Sequence, residues 1–547
     1  MSRFFYNDRQ QLVSDAIEGI IISSRHHNLT RLDIDPAIRV VARSDWDKNQ
    51  VAVISGGGSG HEPAHAGFVG KGMLTAAVCG DLFASPSVDA VFNAIMAVTG
   101  SAGCLLIVKN YTGDRLNFGL AAEKAKKAGL KVEMVIVGDD IALPDNKQPR
   151  GIAGTVMVHK IAGHAAEQGL SLSDVFEAAK QACASVFSIG VAMQTCHLPD
   201  ASSSEEDRIK SGQVELGLGI HGEPGAITVD TQNSVEVIAM MVERLRKATG
   251  NEAPLAILIN NLGGTSALEM ALLTKALFES ELAAQIQYLI GPADLVTALD
   301  MKGFSLSAIK LTPEFITALS SEVETSGWQP LVKYQPVTSK KITLIHDEVK
   351  VTPSENAQVK AWVASVTQSL IGNEAYLNDL DAKVGDGDTG STFAEGARDI
   401  ASLSDQGQLP LNDTAALLER IGERLATVMG GSSGVLMSIF FTAAGQKVRD
   451  KAPIAEALLA GLEQMKHYGG AQPGDRTMID ALQPALEALK TGSLAAAAEA
   501  AEKGAQATAS MKKAGAGRSS YVNSKNLDGV VDPGAAAVAG VFADLVK

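Results

Sequence analysis

The sequence predicts a multidomain protein in which two α/β domains with mainly parallel sheets are followed by an all-α domain of about eight helices. Three observations support this fold class. Apolar runs typical of strands alternate with amphipathic stretches between about residues 50 and 311, as they do in βαβ units. A proline-rich segment with little periodicity follows at 325–355, which is typical of a linker. Beyond it, helical periodicity is the only pattern left.

The predicted strands are short apolar runs bounded by turn residues. They are Val51–Ile54, Cys104–Val108, Val132–Val137, Val186–Val191, Leu216–Ile220, Leu255–Ile259 and Ile286–Ile290. Apolar residues at helical spacing lie between them, as across Leu116–Ala128. We expect a first α/β domain over residues 1–195 and a second over residues 196–335.

Residues 336–355 are expected to form the linker, and residues 356–547 the helical domain. One helical face contains Val359, Trp362, Val363, Val366 and Leu370. Further helical patterns cover 391–404, 412–428, 433–447, 454–466, 477–490, 493–512 and 533–546. Leu, Val and Met interleave with the many alanines, which favours a packed bundle over a low-complexity segment.

Composition excludes several classes of protein. The formal net charge of −15 opposes attraction to the phosphates of nucleic acids and to anionic lipids. Four cysteines without a C-x-x-C pair indicate neither a disulfide framework nor a zinc site. No apolar run reaches the roughly 18 residues of a membrane span, and the N-terminus lacks the apolar core of a signal peptide. We therefore expect a cytoplasmic protein with no nucleic-acid or membrane partner.

The first candidate site is the glycine-rich stretch Ser55–His65 (SGGGSGHEPAH), directly after a predicted strand. Ligands of α/β proteins bind at the carboxyl ends of strands, where glycines expose backbone N–H groups. The dinucleotide fingerprint fails because its last glycine is replaced by His61. A structural turn would explain the glycines, but it would not explain the two histidines beside them, so we predict a ligand role.

Two further loops follow predicted strands. Lys109 and Asp114 in VKNYTGDR have side chains that bind hydroxyls or move protons, although a solvated loop would look similar. His221 lies among glycines in GLGIHGEPG. A neutral imidazole in such a place is able to attack a carbonyl carbon, and a surface turn is the alternative.

The strongest motif is LDAKVGDGDTGST, which precedes a helical pattern. Its glycines permit a turn that brings Asp381, Asp386 and Asp388 together. Three converging carboxylates repel one another unless a hard divalent cation binds between them. We predict Mg²⁺, because it binds through few carboxylates and keeps positions for water and nucleotide phosphates. The spacing also does not fit a calcium loop.

Three more loops open predicted helices, namely Met429–Gly434 (MGGSSG), Gly474–Met478 (GDRTM) and Asp532–Gly534 (DPG). Backbone N–H groups at helix starts bind phosphate oxygens, so these loops are candidates for closing over a nucleotide. Each of them by itself would also fit an ordinary helix cap.

Taken in order along the chain, these motifs resemble the single-chain, ATP-dependent dihydroxyacetone (glycerone) kinases. The resemblance covers nearly the whole sequence, from GGGSGHEPAHAGF to DPGAAAV. It implies two α/β domains that bind a short ketone and a helical domain that binds ATP with two Mg²⁺ ions. It also implies a homodimer that phosphorylates dihydroxyacetone and related substrates such as glyceraldehyde.

The resemblance further implies a role for individual residues. His221 would hold the ketone as a covalent hemiaminal, and His61 and Asp114 would be the acid/base residues near the reacting hydroxyl, with either of them as the base. Gly58, Ser59, Gly60 and Lys109 match positions that bind substrate, and Asp381, Asp386 and Asp388 match the magnesium ligands. The implied ATP contacts are Thr389, Gly390, Ser391, Thr392, Gly430, Gly431, Ser432, Ser433, Arg476, Met478, Asp532, Pro533 and Gly534. Thr389 stands where some relatives have histidine.

Two other functions share part of these motifs. A lyase that cyclises the ribityl phosphate of FAD, as some eukaryotic relatives do, would use the acidic loop but would not need His221. A regulator that only binds ketones would have no reason to gather three carboxylates in one loop.

Overall fold

The computed structural model describes residues 4–32, 38–143, 146–199, 208–231, 233–343 and 351–547. The chain divides into two compact units, Met1–Ser339 and Lys340–Lys547. The division falls inside the expected linker, of which residues 344–350 lie outside the described residues.

The first unit begins with a six-stranded sheet. Its strands are β1 (Leu29–Arg31), β2 (Arg39–Arg43), β3 (Ala52–Ser59), β4 (Ala76–Leu82), β5 (Cys104–Lys109) and β6 (Val132–Val137), in the order β1-β2-β4-β3-β5-β6. Strand β3 pairs in parallel with β4 and β5, and β5 pairs in parallel with β6. Every residue of β3 is buried, as expected for a central parallel strand.

A seven-stranded sheet follows. It contains β7 (Val186–Ala192), β8 (Gln213–Leu216), β9 (Ile227–Asp230), β10 (Leu255–Asn261), β11 (Ile286–Asp294), β12 (Gly303–Lys310) and β13 (Val332–Lys333), in the order β13-β11-β10-β12-β7-β8-β9. Strand β7 of this second sheet lies before residue 195, where the first domain was expected to end.

The expectation of mainly parallel strands fits the first sheet but is wrong for the second. Among the described pairings of the second sheet, β10 with β11 is parallel and the others are antiparallel. Parallel neighbours need a crossover connection, usually a helix. A helix connects β10 to β11, whereas the segment between β11 and β12 has none.

The helices of the first unit are α1 (Leu12–Ile22), α2 (Val88–Val98), α3 (Thr112–Lys127), α4 (Thr155–Glu167), α5 (Leu172–Ser185), α6 (Ser234–Thr249), α7 (Ala267–Phe278) and α8 (Pro313–Ser320). Several begin at residues suited to the N-cap. Ser87 and Ser171 cap α2 and α5, and Ser266 forms a capping box with Glu269 at the start of α7.

The second unit is all-helical, as predicted. Its helices are α9 (Ala357–Gly372), α10 (Glu374–Val384), α11 (Thr389–Asp405), α12 (Thr414–Val428), α13 (Gly431–Arg449), α14 (Ile454–Gly469), α15 (Ile479–Thr491), α16 (Leu494–Thr508), the short α17 (Ser524–Leu527) and α18 (Pro533–Val546). Helix α10 was not predicted from the sequence. The helices line an apolar cavity of about 400 Å³. Among the described residues of the whole chain, none of the helices is long and apolar enough to cross a membrane.

Candidate active site

The predicted strand before the glycine-rich stretch extends further than expected, because Ser55–Ser59 form the second half of β3 and only the residues from Gly60 onward follow it. The segment VKNYTGDR runs from the end of β5, which includes Lys109, into the first turn of α3, which includes Asp114. Strands β3 and β5 are adjacent and parallel. Their carboxyl ends therefore meet at one edge of the sheet, where α/β proteins bind ligands. Gly58 lies so close to the 82–84 turn that a Cβ there would stand 2.7 Å from the backbone nitrogen of Ala84. Only glycine fits at this position, because the backbone of residue 58 lies directly against the backbone of Phe83 and Ala84.

His61 lies two residues after the end of β3 and is fully buried. Its Nδ1–H donates to the carbonyl oxygen of Thr297 at 2.7 Å, and a carbonyl only accepts, so the proton is on Nδ1. Its Nε2 has no hydrogen-bond partner among the described residues. Burial and the nearby charge of Lys109 hold the pKa of His61 well below its ordinary value. His61 is therefore a neutral imidazole with an unused lone pair on Nε2.

Lys109 and Asp114 form a buried pair of opposite charge beside the loop. Both lie next to Gly57, where a Cβ would be 3.6 Å from Lys109 Nζ and 3.7 Å from Asp114 Oδ2. Burial lowers the pKa of Lys109 and raises that of Asp114, and the attraction between the two opposes both shifts. Asp114 Oδ1 is buried and has no hydrogen-bond partner in the described part of the chain, so it is free to accept from a ligand hydroxyl.

His221 lies in the loop after β8, and its side chain is 22% exposed. The rings of His61, Phe83 and Tyr111 surround its imidazole, with centroids 4.9, 5.2 and 4.7 Å away. The structure thus brings His221 together with His61, although 160 residues separate them in the sequence. Ser59 plays a different part, because its hydroxyl donates to the carbonyl of Gly80.

Sequence reasoning missed three neighbours of His221. Phe83 and Tyr111 line the site through contacts between distant segments, which no local pattern indicates. Glu223, which lies 3.1 Å from His221 Nδ1, is different. A carboxylate two residues after a histidine in a glycine-rich loop is able to fold back on the ring, and that spacing was visible in GIHGEPG.

The three aspartates of the helical unit converge as predicted. Asp381, Asp386 and Asp388 each offer one carboxylate oxygen, and these oxygens lie within 4.8 Å of one another. Asp381 is at the end of α10, and its Oδ2 accepts from the backbone N–H groups of Gly387, Asp388 and Thr389 at 3.0, 3.0 and 3.2 Å. This carboxylate therefore also shapes the loop that carries the other two.

The predicted phosphate-binding loops all begin helices. Gly390 to Thr392 lie in the first turn of α11, and Gly430 to Ser433 lie at the start of α13. Residues from the starts of four helices pack in one hydrophobic cluster, namely Phe393, Met429, Met478 and Ala537. Residues at or next to the starts of α11, α13, α15 and α18 therefore contribute to the same apolar core.

The loop before α15 and the loop before α18 contact each other directly. A Cβ on Gly534 would lie 3.1 Å from the Cβ of Met478, and Asp532 caps α18 by accepting from Ala535 N–H. Arg476 is 1% exposed, and its Nη2 donates to the carbonyl oxygen of Val530 at 2.7 Å. Its guanidinium thus ties the 474–478 loop to the segment before Asp532, inside the protein.

Comparison with known families and proteins agrees with this arrangement. Residues 21–327 match the Dak1 domain, and residues 383–547 match the DAK2 domain. The chain is 60% identical to a dihydroxyacetone kinase of Citrobacter freundii, over 100% of this chain and 99% of that protein. It is 37% identical to a mouse protein named triokinase/FMN cyclase, over 100% and 98% of the two chains.

A solved structure matches over the same extent. It is the C. freundii dihydroxyacetone kinase in complex with AMP-PNP and Mg²⁺, with a TM-score of 0.79 and 59% identity over 100% of this chain and 99% of that one. Both domain families, in this order, and a full-length relative at this identity establish that the chain belongs to the dihydroxyacetone kinase family.

Proposed function

We propose that this protein transfers the γ-phosphate of ATP to dihydroxyacetone. The observation that carries the proposal is the presence of two unlike sites in one chain. One unit places His221 beside the neutral His61, and the other gathers three carboxylates at the start of a helix. A ketone-binding protein without phosphotransfer would need only the first of them.

In the first step, His221 captures the ketone. Its nitrogen attacks C2 of dihydroxyacetone, a new N–C bond forms, and the carbonyl electron pair moves to oxygen, which takes a proton. The product is a hemiaminal. Glycerol has no electrophilic carbon, so the capture would select ketones and aldehydes over polyols through covalent chemistry.

In the second step, a terminal hydroxyl of the captured ketone attacks phosphorus. His61 takes the proton of this hydroxyl on Nε2, which is unprotonated and free of hydrogen bonds to the described residues. Asp114 and Lys109 accept from and donate to the substrate hydroxyls. Phosphoryl transfer depends mainly on positioning and on charge neutralisation, so it requires the two sites to meet, within one chain or between two.

The residues of the helical unit fit Mg²⁺ and a nucleotide. Asp381, Asp386 and Asp388 supply hard oxygen ligands of the kind that Mg²⁺ prefers. When bound, the metal neutralises the charge of the phosphates. The helix-start amides near Gly390, Gly430 and Gly534 would hold phosphate oxygens, and Met478 would contact the base.

Several finer expectations belong to the same proposal. We expect glyceraldehyde and other short ketoses to be further substrates, and we expect a cytoplasmic homodimer. We also propose two α/β domains within the first unit, over residues 1–195 and 196–335, and a linker over residues 336–355. Light scattering of the full chain would test the dimer.

The deciding experiment is a coupled assay of ADP release with Mg·ATP and a panel of dihydroxyacetone, glyceraldehyde, erythrulose and glycerol. We expect turnover with the carbonyl compounds and none with glycerol. His221→Ala should remove the added mass of one dihydroxyacetone in intact-mass spectra. An adduct that survives this substitution would exclude the assigned capture residue.

The name of the mouse relative motivates a second activity, the cyclisation of FAD. This lyase reaction would use the acidic loop with Mn²⁺ and would not use His221. FAD turnover that persists in the His221→Ala variant would establish it, and its absence in the unmodified chain would exclude it.

A further inference from the structure

Glu223 contacts both the ring and the backbone of His221. Its Oε1 lies 3.1 Å from the ring Nδ1, and its Oε2 accepts the backbone N–H of His221 at 3.0 Å. Burial opposes ionisation of this carboxyl, but the hydrogen bonds from the ring and the backbone of His221 outweigh it, and the pKa of Glu223 is lowered to about 2. At neutral pH, Glu223 is therefore an acceptor only, and the nitrogen that faces it must carry a proton.

We infer that Glu223 is the positioning residue that keeps the proton of His221 on Nδ1 and leaves the lone pair on Nε2 as the nucleophile. The inference deepens the proposed capture of the ketone and rests on it. In a neutral imidazole, one nitrogen donates and the other accepts, and the hydrogen bond made by the first determines the role of the second. Without Glu223, this constraint on the proton is lost.

The charge balance of capture gives Glu223 a second effect. Attack through Nε2 forms the N–C bond while Nδ1 keeps its hydrogen, so the ring becomes an imidazolium. The carbonyl oxygen takes one proton from water, and the ring's positive charge then faces the carboxylate of Glu223. The carboxylate therefore stabilises the adduct more than the free ring.

The fold leaves room for this carboxylate at one glycine. A Cβ on Gly219 would stand 2.0 Å from Glu223 Oε2 and 2.7 Å from Arg150 Nη1. Arg150 is itself fixed, because its Nε donates to Asp140 at 2.7 Å and its Nη2 to the carbonyl oxygen of Gly217 at 2.6 Å. The loop thus lies against an arginine that is held by two partners, and a side chain at residue 219 would meet the carboxylate of Glu223.

The first test reads the tautomer directly. The full chain is labelled with ¹⁵N-histidine, and the signals of His221 are identified by their loss in His221→Ala. We expect a protonated Nδ1 in the unmodified chain and in Glu223→Gln, whose amide oxygen still accepts, and a loss of this state in Glu223→Ala. A ring that keeps its proton on Nδ1 in Glu223→Ala, or that carries it on Nε2 in the unmodified chain, would overturn the inference.

The second test measures capture of dihydroxyacetone by the same proteins. The fraction of each protein that carries the adduct is read from intact-mass spectra. We expect about a 10–100-fold loss of affinity for dihydroxyacetone in Glu223→Ala, by analogy with the loss that follows when a hydrogen bond orienting a metal-bound histidine is removed. Glu223→Gln should recover part of it, and the KM for ATP should change little. Glu215→Gln is the matched control, because Glu215 supports the same loop through Gly225 N–H without contacting the ring. If it changes the tautomer equally, loosening of the loop is the cause.

Gly219→Ala provides a test in which Glu223 stays intact. The added methyl group would displace the carboxylate, so this variant should reproduce the tautomer and the adduct loss of Glu223→Ala. Unchanged behaviour would contradict the inference. If the unmodified chain shows the expected tautomer but forms no adduct with dihydroxyacetone, the capture step of the proposed function fails while the role of Glu223 in fixing the ring stands.

Discussion

The imidazole of His61 lies edge-on to that of His221, with ring centroids 4.9 Å apart and an angle of 71° between the planes. Each ring is held through its Nδ1, His61 by the carbonyl oxygen of Thr297 and His221 by Glu223. His61 Nε2 has no hydrogen-bond partner among the described residues. In the mechanism that we propose, the Nε2 of His221 attacks carbon and the Nε2 of His61 accepts a proton.

We expect capture of the ketone by His221 and transfer of the phosphoryl group to respond differently to substitution of His61. In His61→Ala, we expect the ketone adduct to form while kcat falls by about 10²–10⁴-fold, the usual contribution of a general base. Intact-mass spectra and initial rates on one preparation measure both quantities. If Asp114→Asn shows this pattern instead and His61→Ala retains its kcat, Asp114 is the base.

The pH dependence of kcat reports on the same residue. The pKa of His61 is held well below 6.5 by burial and then by the charge of Lys109, so the ring stays unprotonated as the pH falls to mildly acidic values. We therefore expect the acidic limb of kcat below pH 6.5. A rate profile with saturating ketone and Mg·ATP checks this, and a half-maximal rate at or above pH 6.5 would contradict the assigned state of His61.

Phe83 is expected to limit the length of the substrate. Its ring stacks on His61 at 5.0 Å and meets the edge of His221 at 5.2 Å, so it closes one side of the space around the reacting nitrogen. Phe83→Ala should shift the ratio of kcat/KM by about tenfold towards ketoses with one or two more carbons. Phe83→Leu, which keeps most of the volume, is the control and should shift it less.

The acidic loop gives a prediction for metal use. Asp386→Asn removes one of three converging oxygens, so we expect at least a tenfold higher Mg²⁺ concentration for half-maximal rate, on the order of other losses of metal-site groups. Asp379→Asn is the control, since Asp379 lies on α10 and pairs with Lys383 instead. An equal response of both variants would count against the metal site.

His159 predicts how stability depends on pH. This ring is buried on α4 near Ser55, and burial followed by the charge of Lys109 lowers its pKa to about 3. Between about pH 3 and 6.5, the unfolded chain binds a proton at this residue and the folded chain does not, so stability rises with pH across that window and is complete above it.

The contribution of this one histidine to the slope of the unfolding free energy against pH approaches about 1.4 kcal/mol per pH unit. Urea unfolding of the full chain at pH 7 and pH 5 should show a smaller loss of unfolding free energy in His159→Gln than in the unmodified chain. Comparing the two chains cancels the opposite contribution of Asp139, whose pKa burial raises to about 6. Equal losses in both chains would show that His159 does not carry this dependence.

The parts of the fold that were predicted from sequence are those with local signals. Strand β6 matches its prediction to the residue, because Val132–Val137 is a short run that is apolar except for Glu133 and is followed by Gly138. Strand β12 was missed, since its serines and glycine give no clear pattern in GFSLSAIK. Its burial between β10 and β7 makes it a strand, and that is a property of the assembled sheet.

The site divides in the same way. The acidic loop was found because its three aspartates lie within eight residues of one another. The nearness of His61 to His221 depends on how the segments of the first unit pack, which spacing along the chain does not reveal. Arg476 was given only as an implied ATP contact, and no pattern in the sequence indicated that it is buried and that its guanidinium donates to the carbonyl oxygen of Val530.

The three backbone amides that converge on Asp381 have a consequence for reading natural sequences. A homologue that has lost this one aspartate loses the conformation of the turn along with a ligand, so the two remaining acids no longer point to a common centre. Such a chain is best regarded as a pseudoenzyme even if the rest of its motif is intact. An inactive version for crystallography should keep Asp381 and neutralise its neighbours.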